Sequence, residues 1–444
     1  MKKVLLIFFA IFLFMMNVQA KQPKKDFSSV INDSGVDIES ISVSIKNLSN
    51  GKVVYSLNDK MLMNPASVQK VLTTPVSVET LGEDYQFKTT LYSRGKDCYL
   101  IKLGADPYLK SGELKVLIKS LAQDTKKIFI DDKVLDNKYW GEGWQWDDDM
   151  NINMPKFGAY NLDHNLIKLT VMPDDKGQFA TIINPSKYPL VFFNQVVKSD
   201  KTSIKVHRDN NISTNTLILS GTVARPTTIY IPVNNLNRYF NVQLTRALEE
   251  RKLYLKHPII PNKLSGSDIK QEEICHDIQK AIVDVLKRSD NLVSETMFKL
   301  AGAKYLNIET GTDTAGIKMF NDYCQRNNLD NSRIRITDAS GVSKNNMVST
   351  DFVTDFLIVN KDNKIMEFLP KPGEGTLTHR MLPIKDNLRA KTGTLSDLSS
   401  IAGYLTSKSG KKFAFCIIIN DMKLTASDKK MLEDFLIREA YIRL

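Results

Sequence analysis

Few patterns restrict a fold as tightly as a nucleophile whose base must ride one helical turn behind it. Ser67-Val68-Gln69-Lys70 has that form, because a helix sets residues three apart on one face and lets the amine take the hydroxyl proton without a histidine. The pattern alone does not choose, since Ser-x-x-Lys also begins at Ser49, Ser93, Ser267, Ser409 and Ser427. Only Ser67 leads into a helix apolar enough for a core: after the Asn64-Pro65 turn, Val68, Val71, Leu72 and Val76 recur at helical spacing toward Leu81-Gly82. Of the other five, four sit in turns or a polar linker and Ser427 opens an exposed-looking terminal helix. Pro75 removes one backbone donor and predicts a kink a turn or two past the serine.

A chain of 444 residues exceeds what one hydrophobic core serves, so two or more domains are expected. Ile41 to Lys46, the Asn50-Gly51 turn and Val53-Val54-Tyr55 read as an opening hairpin. From about Tyr85 to Ser265 the pattern is short alternating segments with turns between them, a β-rich insert of one or two subdomains over 84–266. The polar run Asn262 to Ser267 marks its end. Helices follow over Asp277 to Lys287, Leu292 to Ala303, Thr312 to Gln325 and Thr350 to Val359. Three strands (Leu388 to Lys391, Ser400 to Thr406, Lys412 to Asn420) and a helix from Asp428 to about Ile442 close the chain. The expected architecture is α/β of the α+β kind: an antiparallel sheet completed by the N-terminal hairpin and flanked by helices from 21–83 and 267–444.

Residues 1–20 stand apart. Lys2 and Lys3, an apolar run from Val4 to Met16, and Val18-Gln19-Ala20 before Lys21 have the form of a secretory signal cleaved after Ala20. The run is shorter than the ~20 residues of a spanning helix, no cysteine offers a lipid anchor, and no later stretch can cross a bilayer, so a periplasmic protein without a stable membrane anchor is expected. Loss of those two lysines takes the formal charge from +11 to +9, spread without the blocks that mark nucleic-acid arms. No nucleic-acid partner is expected, and an anionic polymer or surface outside the cytoplasm is compatible with the surplus. Cys98, Cys275, Cys324 and Cys416 form no Cys-x-x-Cys pair, so no metal or other cofactor is expected; Cys416 reads as a buried free thiol in a strand. Nothing in the sequence selects a disulfide among the others, or an oligomeric state.

Two further constellations follow the tetrad: Ser289-Asp290-Asn291 between two helices, and Lys391-Thr392-Gly393-Thr394 at a strand end. Taken singly, Lys70 is a solvated helix lysine, Ser289 a helix cap and Lys391 a strand-end charge. Ser-x-Asn recurs at Ser56, Ser213 and Ser343, whereas Lys-Thr-Gly occurs once. In this order, on these element types, the three are the motif set of penicillin-binding proteins and serine β-lactamases. With Asn64 to Thr74, Gly104 to Leu109, Asp338-Ala339-Ser340-Gly341 and Gly375-Thr376-Leu377, the chain from about residue 40 onward resembles the D-alanyl-D-alanine carboxypeptidase/endopeptidases, low-molecular-mass class C penicillin-binding proteins of peptidase family S13. That family inserts accessory domains between its first two motifs. Ala339, where the family usually has glycine, and Pro75 depart from its pattern.

The resemblance implies a transpeptidase-type domain interrupted by the insert, and peptidoglycan stem peptides as substrate. Ser67 attacks the penultimate D-Ala carbonyl, Lys70 is its base, Ser289 relays the proton to the leaving amine, and Asn291 orients Lys70 and holds the substrate amide. The Ser67 and Thr394 backbone N–H groups form the oxyanion hole. Lys391, Thr392 and Thr394 bind the terminal carboxylate, and Gly393 admits substrate backbone beside the strand. Burial beside Lys391 is expected to lower the pKa of Lys70. β-Lactams are the implied covalent inhibitors. Trp144-Gln145-Trp146-Asp147-Asp148 resembles the family's tryptophan-rich segment, which makes Asp148 the candidate partner of a side-chain amine and Lys344 that of its carboxylate; a Trp cluster packing the insert under an exposed acidic loop is the competing reading. The five histidines suggest no triad and carry no assigned role. The competing functions are a serine β-lactamase, against which the insert and the lack of a dedicated deacylation carboxylate speak, and a silent wall-binding protein.

Overall fold

The computed structural model describes residues 27–175, 177–209 and 215–444; the expected signal segment 1–20 lies outside them. Five strands build the central sheet: β1 (Ile41–Asn47), β2 (Val53–Leu57), β3 (Leu388–Thr394), β4 (Ser399–Thr406) and β5 (Lys412–Ile419), in the order β3-β4-β5-β1-β2 with every pair antiparallel. The N-terminal hairpin thus completes the C-terminal meander, through pairing of β1 with β5 from Ile41↔Ile419 to Asn47↔Phe413. Edge strand β3 is bonded only to β4 within this sheet.

Both faces of the sheet are covered, and the period of two along β5 divides its side chains between two cores. Phe413, Phe415, Ile417 and Ile419 join Val43, Ile45 and the C-terminal helix residues Leu432, Leu436 and Ile437. Ala414, Cys416 and Ile418 face the larger helical core. That core holds α1 (Gln69–Leu81), α2 (Ile278–Lys287), α3 (Asn291–Leu306), α4 (Asp313–Arg326) and α5 (Thr350–Val359); α6 (Ala426–Arg443) covers the opposite face. Small residues on the β1 face let α5 approach, with Ser42 Oγ 2.7 Å from Thr350 Oγ1 and Ser44 Oγ 2.9 Å from Thr354 Oγ1. Helix α1 is the innermost element, buried at every position from Gln69 to Val78. It runs through Pro75, because the core on all sides outweighs one lost backbone bond.

The insert packs around its own core, which includes Leu91, Ile101, Ile128, Leu169, Leu219 and Phe240. It holds a five-stranded mixed sheet and two three-stranded sheets, with helices Ser111–Leu117 and Leu236–Glu250 in addition to the expected strands. The expected boundary after residue 266 divides one of those sheets. Strand Ile269–Asp277 lies beyond it yet pairs with Gln86–Ser93 from Ile269↔Ser93 to Asp277↔Gln86. Its run Lys-Gln-Glu-Glu shows no apolar alternation because it is an edge strand with little of its surface buried. The insert sheet therefore reaches Asp277, where α2 begins. Cys416 is buried, and all four cysteines are free thiols.

Candidate active site

The nucleophile turn is built before the helix starts. Asn64 accepts the Ala66 N–H through Oδ1 at 2.8 Å and donates through Nδ2 to the Ser343 carbonyl at 2.9 Å. This holds Ala66 at φ 44°, a left-handed conformation costly for a residue with a Cβ, from which Ala66–Val68 make one 3-10 turn into α1. Ser400 Oγ donates to the Pro65 carbonyl at 2.6 Å, fastening the turn to the sheet. Gly341 and Gly393 are close-approach glycines: a Cβ on Gly341 would stand 1.8 Å from the Ala66 carbonyl oxygen, and one on Gly393 would stand 2.3 Å from Ser400 Oγ and 2.8 Å from Ser67 N. Strand β3 can reach the serine only without that side chain.

Lys70 is fully buried and has three neighbours within hydrogen-bond reach: Ser67 Oγ at 3.0 Å, Asn291 Oδ1 at 2.6 Å and the Ser340 carbonyl at 2.6 Å. An ammonium donates to all three. A neutral amine has two N–H bonds for the two carbonyl-type oxygens, and its lone pair then points at the serine hydroxyl. Burial lowers the pKa of Lys70 to about 8, against the upward pull of Asp338, Glu295 and Asp290. Lys391, also fully buried, donates to Ser289 Oγ at 2.9 Å and to the Thr392 carbonyl at 2.7 Å. Its pKa is pushed well below the usual lysine range, by burial first and the Lys70 charge second. The expected repulsion between the lysines therefore acts chiefly on Lys391, while burial sets Lys70.

The middle motif lies between them. Ser289 has φ 64°, and Asp290 caps α3 by accepting the Val293 N–H at 3.0 Å. Asn291, the first residue of α3, contacts Lys70 through Oδ1 and donates through Nδ2 to the Asn153 carbonyl at 2.8 Å, so a loop of the insert borders the site. Thr392 Oγ1 donates to Thr376 Oγ1 at 2.7 Å, and Thr394 is exposed at the end of β3. The structure brings Ser67, Lys70, Ser289, Asn291, Lys391, Thr392, Gly393 and Thr394 into one cleft.

Asp148 and Lys344 lie at its outer edge. Asp148 is half-buried, its carboxyl raised by burial and Asp147 and drawn back by Asn151 and Lys344. Lys344 is largely exposed, 3.8 Å from Asp397, in the wall of a cavity of about 390 Å³ that includes Asn64 and Leu395. Trp144 is buried against Trp140 and Phe157 and donates from Nε1 to Asp338 at 2.9 Å, whereas Trp146 is exposed. The tryptophan segment thus packs the insert onto the site and also presents its acidic end nearby.

Three residues support the site from outside the Ser-x-x-Lys, Ser-x-Asn and Lys-Thr-Gly motifs. Asp338 accepts from Gly341 N, Ser343 N, Asn346 Nδ2 and Trp144 Nε1. Glu295 accepts the N–H groups of Ala339 and Ser340, and so fixes the carbonyl that Lys70 meets; burial raises its carboxyl to about 8. The signal for Glu295 is that it is the one charged residue between Asp290 and Lys299 on a helix buried from Leu292 to Ala303. His164 stands 3.0 Å from Asp290. Ala339 takes no positive φ, so its methyl group meets no backbone penalty. Among the described residues no cluster suited to a metal ion occurs.

A family model described as the D-Ala-D-Ala carboxypeptidase 3 (S13) family matches residues 24–438. The D-alanyl-D-alanine carboxypeptidase DacB of Haemophilus influenzae is 25% identical over 409 residues, covering 84% of each chain. The D-alanyl-D-alanine carboxypeptidase of Actinomadura sp. (strain R39) is 23% identical over 437 residues, 89% of this chain and 80% of that one. The crystal structure of penicillin binding protein 4 from Haemophilus influenzae superposes with a TM-score of 0.81 at 24% identity, covering 94% of this chain and all of the other.

Proposed function

The chain therefore belongs to the D-Ala-D-Ala carboxypeptidase 3 (S13) family and is a serine-type DD-peptidase, and on that premise we propose that Ser67 is acylated by peptidoglycan stem peptides with Lys70 as its base. The observation that carries the assignment is the three-way contact of Lys70: once Asn291 and the Ser340 carbonyl take its two N–H bonds, the lone pair has only the Ser67 hydroxyl to face. A pKa of about 8 keeps a fraction of the amine neutral near neutral pH.

In this reading the Ser67 Oγ–carbon bond forms as its proton moves to Lys70 Nζ, and the oxyanion meets the Ser67 and Thr394 N–H groups. Ser289, held by Lys391, passes the proton to the departing amine as the peptide C–N bond breaks. Water then hydrolyses the ester. The Ala390 N–H on the outer edge of β3 is taken by the Pro370 carbonyl, and beyond it the edge offers substrate backbone a strand to pair with, while Lys391, Thr392 and Thr394 surround the terminal carboxylate. Removal of the terminal D-Ala and cleavage of D-Ala-diaminopimelate cross-links use the same acylation and differ in what leaves. β-Lactams acylate Ser67 in the same way. The protein works in the periplasm after loss of residues 1–20, and no helix among the described residues is long and apolar enough to cross a membrane.

Ser67→Ala should abolish covalent labelling by fluorescent penicillin, and labelling at full strength would sink the assignment. Mass analysis of purified muropeptides after incubation separates loss of terminal D-Ala from conversion of dimers to monomers. Rapid penicillin turnover with neither product would instead indicate a β-lactamase.

A further inference from the structure

We propose that His164, contributed by the insert, is a positioning residue for the Ser289-Asp290-Asn291 turn and acts through its ion pair with Asp290. This rests on the reading of Ser289 and Asn291 as working parts of the site.

The geometry starts at a turn that a chain adopts only under constraint. Asp163, His164 and Asn165 have φ of 52°, 58° and 56°, three consecutive non-glycine residues in the left-handed region. Side chains on every side hold it. Asp163 accepts the Ser111 N–H at 3.0 Å and the Tyr239 hydroxyl at 2.9 Å, while Asn165 accepts the Leu162 N–H at 2.9 Å and donates to the Lys156 carbonyl at 2.7 Å. The result is a rigid mount from which His164 reaches out of the insert.

One ring nitrogen, Nε2, lies 3.0 Å from Asp290 Oδ2. The partner is a carboxylate, and its attraction to the ring is strongest when the imidazole is charged. The other charge facing the ring is Lys110, which opposes protonation; Lys70 lies on the far side of Asp290 and lowers the carboxyl of that residue. Burial also favours the neutral ring, but the pairing with Asp290 prevails and His164 titrates above its ordinary value. The second oxygen of Asp290 caps α3, and its backbone N–H is held by the Asp284 carbonyl at 3.1 Å. Ser289 at φ 64° and Asn291 therefore flank a residue fixed at three points, one of which is weakened when His164 gives up a proton and the charge-assisted pair becomes a neutral hydrogen bond.

The test compares acylation rates by fluorescent penicillin in the full-length protein and in His164→Gln from pH 6 to pH 9. Dividing one rate by the other removes the rise that both proteins owe to Lys70. The ratio should be about tenfold at pH 6, the size expected for a small misplacement of a catalytic group, and should fall toward unity as wild-type His164 deprotonates. His164→Lys keeps a positive charge through this range and should hold its acid-pH advantage over His164→Gln up to pH 9. If His164→Gln does not fold, the His164→Lys to wild-type ratio, rising with pH, reads the same proton. A ratio constant with pH in whichever variant folds would overturn the proposal, while leaving the Ser67→Ala result, and the peptidase reading, untouched.

Discussion

The two buried lysines of the cleft are equally inaccessible and electrostatically opposite. Lys70 lies within the field of Asp338, Glu295 and Asp290, and every N–H it carries has a partner. Lys391 has a hydroxyl, a carbonyl and a like charge, and no carboxylate acts on it. Depth alone lowers a lysine's pKa; nearby carboxylates decide how far. One end of the cleft is tuned to lend and take a proton, and the other lacks a counter-charge until a ligand carboxylate supplies it.

Substituting each lysine tests that division most directly. Lys70→Met should reduce acylation by about 10³-fold for any ligand, as expected for loss of a general base. Lys391→Met should reduce it by about 10²-fold for penicillin and far less for penicillin methyl ester, because the lost interaction is to the carboxylate. Equal sensitivity of the two variants to esterification, read from second-order acylation rates, would break the comparison.

Stability should respond with opposite signs. Lys391→Met replaces a desolvated amine with an apolar side chain of similar size and should stabilise the fold by about 1–2 kcal/mol. Lys70→Met strips the counter-charge from buried Asp338 and should destabilise by a similar amount, on the order of 1–3 kcal/mol. Thermal unfolding that shifts both variants the same way would show that Asp338 does not distinguish the two ends.

The pH profile sharpens the contrast further. The active form of Lys70 is the neutral one, so acylation should climb as pH rises through about 8. A folded-state pKa below the unfolded 10.5 means that the unfolded chain binds more protons between those values, so this lysine makes stability increase with pH from about 8 to 10.5. At Lys391 a bound carboxylate raises the lowered pKa, so binding of a carboxylate ligand to Ser67→Ala should take up protons, seen as a dependence of calorimetric heat on buffer ionisation enthalpy. Proton release on binding would contradict the assignment.

How far the sequence discloses this depends on how each feature is encoded. An unbroken apolar run from Phe413 to Ile419 exposes the buried strand, because β5 must present apolar side chains to two cores, and the spacing of Ser67 and Lys70 fixes their shared face in any helix. Helix Leu236–Glu250 was equally legible, with Asn235 as its cap and Leu236, Tyr239, Phe240, Leu244, Ala247 and Leu248 at three and four spacing, yet the strand-like segments around it drew the whole insert into a β-rich reading. Strand Ile269–Asp277 was not legible, since an edge strand needs a neighbour rather than an apolar pattern. His164 and Glu295 were hidden for another reason: each acts on a residue distant in sequence, Asp290 and the Ala339-Ser340 backbone, and no local spacing encodes a contact made by folding.

Beyond both lysines, where the third residue of a stem peptide would lie, the comparison predicts a much weaker effect. Asp148 and Lys344 sit at a solvated rim, so a charge contact there is worth about 0.2–1 kcal/mol, up to roughly fivefold. We propose that Asp148 meets the side-chain amine of the stem. Asp148→Asn should then raise KM severalfold for a stem whose third residue carries a free amine, and leave unchanged both the KM for the N-acetylated stem and the acylation rate by penicillin, which has no such group. Steady-state hydrolysis of the two peptides separates the outcomes. If KM rises equally for both, the variant has disturbed the Trp144 packing beneath the loop, and the acidic end of that segment is a structural cover rather than a specificity determinant.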